Sequence, residues 1–334
     1  MPKGRGLLAP RKMKIGLTLP NRGVLFGVTT SEEMLELAEI ADQSGAFQSV
    51  WVGDSLLGKP RMESITLLAG IAARTKHVRI GTACMASFPL RDPVLLAYQW
   101  ASLDLLAGGR TVLVACTGLV EQEGAQVEGH LYHLEPKDRV GRLVEWITLI
   151  RRLWTEDTVT FEGKHYRCEN VTIDPKPAAK PCPPIWIAAN AEGNQDVIER
   201  QHRRIARHAD GFQTTIFVEE GVADRLADVK RKAAELRRDP QAIETHAYHN
   251  INVNEDRAAA LAESKRFLDT YYVPTVYESE IVERWTATGS PQECAEHLAR
   301  YRDAGFDEIA IRITGWDQKG QLKRVIDEVL PLLA

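Results

Sequence analysis

The 334-residue chain lacks most of what would tie it to a nucleic acid, a membrane or a disulfide framework. Its net charge is only −4, from 42 basic and 46 acidic residues, so it offers no basic footprint for a phosphate backbone. No apolar run approaches the ~20 residues that cross a bilayer. Cysteine is scarce: five residues (84, 116, 168, 182 and 294), widely spaced, with no CxxC. Such spacing argues against disulfides and zinc and predicts a reducing, cytoplasmic setting. The turn after the first apolar segment, Pro20 to Gly27, is not GxGxxG, so a dinucleotide-binding open sheet is disfavoured. Residues 1–12 are basic but hold no long apolar core, and they are expected to be a flexible tail rather than a signal peptide.

What the chain does have is alternation. Short apolar segments at 14–19, 49–52, 78–83, 111–115, 184–188, 211–215, 247–253 and 308–313 read as buried strands. Helical patterns lie between them. Thr30 with Glu33, Asp92 before Pro93, and Ser290-Pro291 with Glu293 are helix-start signals. Eight near-continuous apolar strands separated by helices predict an α/β fold, a single-domain (β/α)8 TIM barrel over 13–334. Insertions are expected after the fourth strand and near the seventh. Residues 117–136 read as a polar loop, 143–154 as an amphipathic helix, and 159–167 as a hairpin turning at Glu162-Gly163-Lys164. The proline-rich stretch 175–184 reads as a bridge inside one domain.

In such a barrel the chemistry belongs at the C-terminal strand ends. Those ends carry Asn21, Asp54-Ser55, Thr82-Ala83-Cys84, Cys116-Thr117-Gly118, Ala188-Ala189-Asn190, Gln213-Thr214-Thr215 and Thr314-Gly315. The set is rich in amides and hydroxyls, with no tight carboxylate pair, no ligand cluster and no nucleophile elbow. It suits a bound cofactor that carries the hard chemistry. No lysine stands at a strand end, which disfavours an aldolase. Asp54 either orients a ligand or caps its loop. Trp51 points either into the barrel or at a cofactor edge. His130, Tyr132 and His133 are either solvated or part of a cover, and the run Arg200 to His208 reads as an exposed helix face. Cys84 and Cys116 read as small buried residues.

Several segments together carry a family resemblance: 47–54 (FQSVWVGD), 75–82 (TKHVRIGT), Arg91-Asp92-Pro93, 103–110 (LDLLAGGR), 184–188, 206–212 (ARHADGF) and 289–291 to 304–306. In this order and spacing the chain resembles the bacterial luciferase-like superfamily of flavin- and deazaflavin-dependent oxidoreductases, from Met13 onward. The resemblance implies that Thr82 and Ala83 lie where the family packs backbone, often through a non-prolyl cis peptide, under a flavin ring. Thr117 and Gly118 match its pyrimidine side. Ala188, Ala189 and Asn190 would open a helix whose N–H groups hold the ribityl phosphate, with Thr214 nearby. Asp54 and Ser55 fall at the reactive position after strand two. There the luciferase type has a histidine pair and many deazaflavin enzymes have Asp-His, so this chain departs from both.

The implied activity is that of a monooxygenase, using reduced FMN and oxygen on a small organic substrate. A separate flavin reductase would supply the cofactor, and a homodimer is allowed. The alternative is hydride transfer with a deazaflavin, coenzyme F-420; a non-catalytic flavin-binding barrel is a further reading. Loops 117–136 and 273–288, the second with Tyr277 and Trp285, are expected to cover the mouth, the second ordering only when ligands bind.

Overall fold

The computed structural model describes residues 13–333 except 119 and 121. The expected tail at 1–12 lies outside the described residues. The chain starts with β1 (Lys14–Leu19), α1 (Ser31–Ser44), β2 (Ser49–Asp54), α2 (Ser64–Arg74), β3 (Arg79–Met85), α3 (Pro93–Leu106) and β4 (Thr111–Ala115). Next come α4 (Glu123–Leu131), α5 (Arg139–Thr155), the hairpin β5 (Val159–Glu162) and β6 (Arg167–Val171), then β7 (Ile185–Ala188), α6 (Gln195–His208) and β8 (Gly211–Thr214). The remainder is α7 (Val222–Glu235), β9 (Glu244–Val253), α8 (Arg257–Tyr271), α9 (Ser279–Trp285), β10 (Thr286–Gly289), α10 (Pro291–Asp303), β11 (Glu308–Ile313) and α11 (Gln318–Arg324).

Strands β9, β11, β1, β2, β3, β4, β7 and β8 follow one another around the sheet, and β8 pairs back with β9. All these pairings are parallel, so the sheet closes into the expected eight-stranded barrel with helices outside. Strands β2, β4 and β11 are buried along their whole length, as a sheet covered on one face and filled on the other requires. Each helix turns an apolar stripe inward. In α1 the stripe is Met34, Leu37, Ala38 and Ala41, and burying Met34 or Leu37 is worth about 1.5–3 kcal/mol each. The cap signals hold: Thr30 accepts from the Glu33 N–H, Asp92 from the N–H groups of Val94 and Leu95, and Ser290 with Glu293 closes a full capping box.

Inward-facing residues alternate along each strand. Trp51 and Trp186 meet at the barrel centre with ring centroids 5.5 Å apart. The Trp51 indole N–H donates to Ser49 Oγ (2.6 Å) and to Glu308 Oε1 (3.1 Å), which places Trp51 in the barrel core. Glycine makes room for both rings. A Cβ on Gly81 would lie 2.7 Å from Trp51, and one on Gly211 would lie 2.6 Å from the Trp186 indole nitrogen.

The structure corrects four local expectations. Residues 117–136 are not one polar loop, because α4 occupies 123–131; its buried Ala125 and Glu128 give it an inner face. Helix α5 begins at Arg139, a turn before the expected 143. The hairpin continues to Val171, with β5 and β6 antiparallel. Segment 273–288 is not a plain loop: α9 fills 279–285, and β10 adds a strand pairing with the upper half of β9.

Candidate active site

A cavity of about 420 Å³ opens at the C-terminal mouth of the barrel. That is within the usual range for a small-molecule site. Strand β2 contributes Asp54, which is buried and fully engaged. Its Oδ1 accepts from the Ser64 hydroxyl (2.7 Å) and Arg91 Nη2 (3.2 Å), and its Oδ2 accepts from the Ser87 N–H (2.8 Å). Asp54 therefore ties β2 to α2 and to the turn after β3. Glu63 caps α2 through the Thr66 N–H and also receives Arg91.

The loop after β2 carries the strongest charges. It is clamped at several points. Asn21 Nδ2 donates to the carbonyls of Gly53 (2.7 Å) and Met62 (3.1 Å). Glu128 of α4 accepts from the N–H groups of Leu57 (2.5 Å) and Gly58 (2.8 Å), and Ser55 Oγ accepts from the Lys59 N–H (2.8 Å). This clamp buries Lys59 at the cavity wall, its Nζ 4.7 Å from the centre of the Tyr272 ring. Desolvation, with the charges of Arg61, Arg22 and Arg312, pushes the Lys59 ammonium down to about 8.

Small residues line the β3–β4 side: Ala83, Cys84, Ala86 and Cys116. The Ala83–Cys84 peptide is cis and non-prolyl, one bond beyond Thr82-Ala83. The neighbouring Cys116 thiol and burial hold the Cys84 thiol well above its ordinary range, so it stays protonated. Both cysteines are half-buried rather than core residues. At the β7–β8 side, Asn190 Oδ1 accepts from the Thr214 hydroxyl (3.1 Å) and the Thr215 N–H (2.9 Å). On the far wall stand Tyr248, Tyr272 and Trp285, whose indole N–H donates to the Tyr248 carbonyl (3.1 Å).

Of the residues expected at the site, Asp54, Ser55, Ala83, Thr117, Gly118, Ala188, Asn190 and Thr214 line this cavity. Two do not. The Thr82 hydroxyl turns into the sheet, bonding the Val114 N–H and carbonyl. Ala189 is buried in the core, and its N–H is spent on the Gln213 carbonyl (2.8 Å). Residues 188–190 also do not open a helix. Helix α6 begins at Gln195, and Asn194 already caps the N–H groups of Asp196 and Val197. An anion beside residues 188–190 would therefore not meet a helix N-terminus. His130, Tyr132 and His133 lie exposed at the end of α4, outside the cavity. His202 leaves the exposed basic face of α6 and is buried against Asp228 (2.7 Å).

The sequence reading missed Lys59, Arg61, Gln201, Tyr248 and Tyr272. Lys59 and Arg61 had a usable signal, since any loop leaving the C-terminal end of a barrel strand overhangs the mouth. Tyr248 sits mid-strand, and Tyr272 follows α8, so neither had one.

The fold is a (β/α)8 barrel with a cavity at its C-terminal strand ends, and comparison with known proteins gives its class. The description luciferase-like monooxygenase matches residues 13–308, and the chain belongs to that family of oxidoreductases. An F-420-dependent glucose-6-phosphate dehydrogenase of Intrasporangium calvum is 29% identical over 330 residues, covering 90% of this chain and 94% of that one. The oxygenase component of the flavin-dependent trigonelline monooxygenase of Acinetobacter baylyi is 25% identical, covering 90% and 89%. A monooxygenase crystal structure from Streptomyces bottropensis shares the fold, with a TM-score of 0.80 at 21% identity over 96% of this chain and 100% of that one.

The cofactor class is therefore a flavin or a deazaflavin, and the cavity fits one. Its β3–β4 side carries no large side chain, which leaves room for a planar ring, and its β7–β8 side supplies neutral donors and acceptors for a polar tail. Among the described residues no group of three or more His, Cys, Asp or Glu could hold a metal. No described helix is long and apolar enough to cross a membrane.

Proposed function

We propose that the chain is the oxygenase component of a monooxygenase that uses reduced FMN and oxygen on a small organic substrate. The observation that carries this reading is the state of Asp54. Dehydrogenating an alcohol by hydride transfer needs a base for the hydroxyl proton. Among the described residues lining the cavity there is no histidine, and Asp54 is the one carboxylate, already committed to Ser64, Ser87 and Arg91. Oxygenation makes no such demand on the protein.

In this reading Ala83, Cys84 and Cys116 face the ring, Thr117 and Gly118 its pyrimidine edge, and Asn190 and Thr214 the ribityl phosphate. Bound there, the flavin supplies the redox chemistry. The chain's residues bind it, exclude water and orient the substrate, with Asp54 and Ser55 as positioning residues that hold the loop over the mouth. A separate reductase delivers the reduced flavin, as the relative named as an oxygenase component suggests.

A second reading is hydride transfer with coenzyme F-420. It is favoured by the F-420-dependent relatives and by Lys59, which at about 8 could accept a hydroxyl proton. Anaerobic titration of the cofactor-free protein separates the two. Tight binding of reduced FMN, followed by oxygen uptake in the presence of substrate, supports the monooxygenase. Tight binding of reduced F-420 alone replaces it with the dehydrogenase.

A further inference from the structure

Four cations gather at one end of the cavity, Lys59 and Arg61 in its wall and Arg22 and Arg312 behind them. Arg22 follows β1, Lys59 and Arg61 follow β2, and Arg312 stands in β11. None of them forms an ion pair with a carboxylate among the described residues. Arg312 is 2% exposed, yet its Nε has no hydrogen-bond partner, and one guanidinium nitrogen of Arg22 is equally unpartnered. What surrounds them is aromatic. Arg312 Nη1 donates to the Tyr272 hydroxyl (2.9 Å), and its guanidinium carbon lies 4.2 Å from the Tyr271 ring centre and 5.0 Å from that of Tyr248. Arg61 lies 5.8 Å from the Tyr271 ring centre. The Lys59 ammonium has the Tyr272 ring beside it and, with the Gln122 amide in its satisfied orientation, an oxygen at 3.3 Å.

Burying like charges together costs free energy that no carboxylate among the described residues repays. Arg22, Lys59 and Arg312 are each biased toward losing a proton by burial and by the neighbouring charge of Arg61. A ligand anion would repay the cost by neutralising the cluster in a low-dielectric pocket. This end is also distinct from the β7–β8 side, where neutral hydroxyl and amide groups wait for the cofactor tail. Tyr248, Tyr272 and Trp285 stand beside the cations and form a wall suited to a flat ring.

We propose that the substrate is a planar ring compound bearing a carboxylate or phosphate group, whose anion is held by Lys59 and Arg61, backed by Arg22 and Arg312, while its ring lies against Tyr272, Tyr248 and Trp285. This rests on reading the cavity as a joint cofactor and substrate site, and it names the substrate class.

The test uses the cofactor-free full chain and calorimetric titration with benzoate and phenyl phosphate, each against its neutral counterpart, benzamide and phenol. At least one anion should bind about tenfold or more tighter than its counterpart, a difference of about 1.4 kcal/mol. Which anion does so distinguishes carboxylate from phosphate. The preference should vanish in Lys59→Gln and Arg61→Gln and survive in Arg61→Lys, with circular dichroism confirming that each variant folds. Equal binding of neutral and anionic probes, binding of none of the four, or a preference that survives both Gln variants overturns the proposal. A parallel titration compares oxidised FMN with riboflavin. If the Gln variants selectively weaken FMN, the cluster holds the cofactor's own phosphate and the substrate proposal fails. Failure of either kind leaves the flavin reading standing, because that reading is decided by cofactor binding and oxygen uptake in the unaltered protein.

Discussion

Inside the barrel, Glu308 Oε1 lies 3.5 Å from His246 Nε2, and the imidazole sits between Trp51 and Trp186 with ring centroids 4.7 and 5.5 Å away. Burial opposes ionisation of Glu308, but contact with His246, the Arg79 charge and the Ser49 hydroxyl outweighs it and brings the carboxyl down to about 2. A carboxyl with a depressed folded value stabilises the fold above its unfolded range and loses that contribution as pH falls toward the folded value. Stability should therefore decline between about 4.5 and 2. Glu308→Gln should cost about 3–5 kcal/mol at neutral pH and flatten that decline, as measured by urea unfolding across pH.

A second acid-sensitive pair lies on the outer face. His249 Nε2 and His297 Nε2 are 2.8 Å apart, with Arg300 Nη2 2.9 Å from the latter. Burial, Arg300 and Arg257 press His297 down to about 4, and burial with His297 and Arg300 holds His249 lower than its ordinary range. The unfolded chain takes up protons below 6.5 that the folded chain refuses, so stability falls as pH drops from 6.5 toward 4. His297→Gln should reduce that slope in thermal melts at several pH values. An unchanged slope would remove the pair from the account.

Lys59 gives anion binding its own pH dependence. Arg61, Arg22 and Arg312 bear on it with like charge, and the Tyr272 phenol, held well above its ordinary range by burial, remains neutral. Above about 8 the ammonium loses its proton and one of the four charges disappears. Affinity for benzoate should thus fall as pH rises through 8. Lys59→Arg should abolish the fall, which titration at pH 7 and pH 9 would read directly.

Gly81 is fixed by the Trp51 ring and by the Val112 carbonyl behind it. Neither can retreat within a closed barrel. Gly81→Ala should destabilise by about 1–3 kcal/mol through overpacking, lowering the melting temperature without altering residues at the mouth.

Asp54→Asn keeps the shape but trades acceptor capacity for a donor facing Ser64, Ser87 and Arg91. The expected loss is about 1–3 kcal/mol of stability, together with weaker cofactor retention as the loop above it loosens. A drop in turnover with unchanged melting temperature would instead make Asp54 a catalytic residue.

The barrel was legible because burial on both faces writes uninterrupted apolar strands, and β4 and β11 begin and end where the sequence pattern does. The cavity was legible only where a strand end reaches it directly, as at Asp54, Ala83 and Asn190. The buried cations were not. Lys59 and Arg61 look like solvated loop residues until Asn21 and Glu128 fold that loop inward, a contact made across distant parts of the chain. The phosphate helix failed for a local reason: Asn194 starts α6 four residues after Asn190, and the intervening turn belongs to neither element. Strand β10 escaped notice because its four residues, Thr-Ala-Thr-Gly, carry too little hydrophobicity to announce a strand.

That short strand alters the geometry of the whole mouth. Strand β9 spends its first half on β8 and its last residues on β10, while β11 runs along its other edge. The barrel is thus built like a cask of eight staves with a short ninth lapped onto β9 at its rim. The narrow end stays filled by two indoles and a carboxylate, and the mouth end holds the cavity of about 420 Å³. Changes to the extra stave and the helix before it, which brings Trp285, can reshape the rim while the base keeps its packing. One scaffold can in this way accept new substrates without being rebuilt.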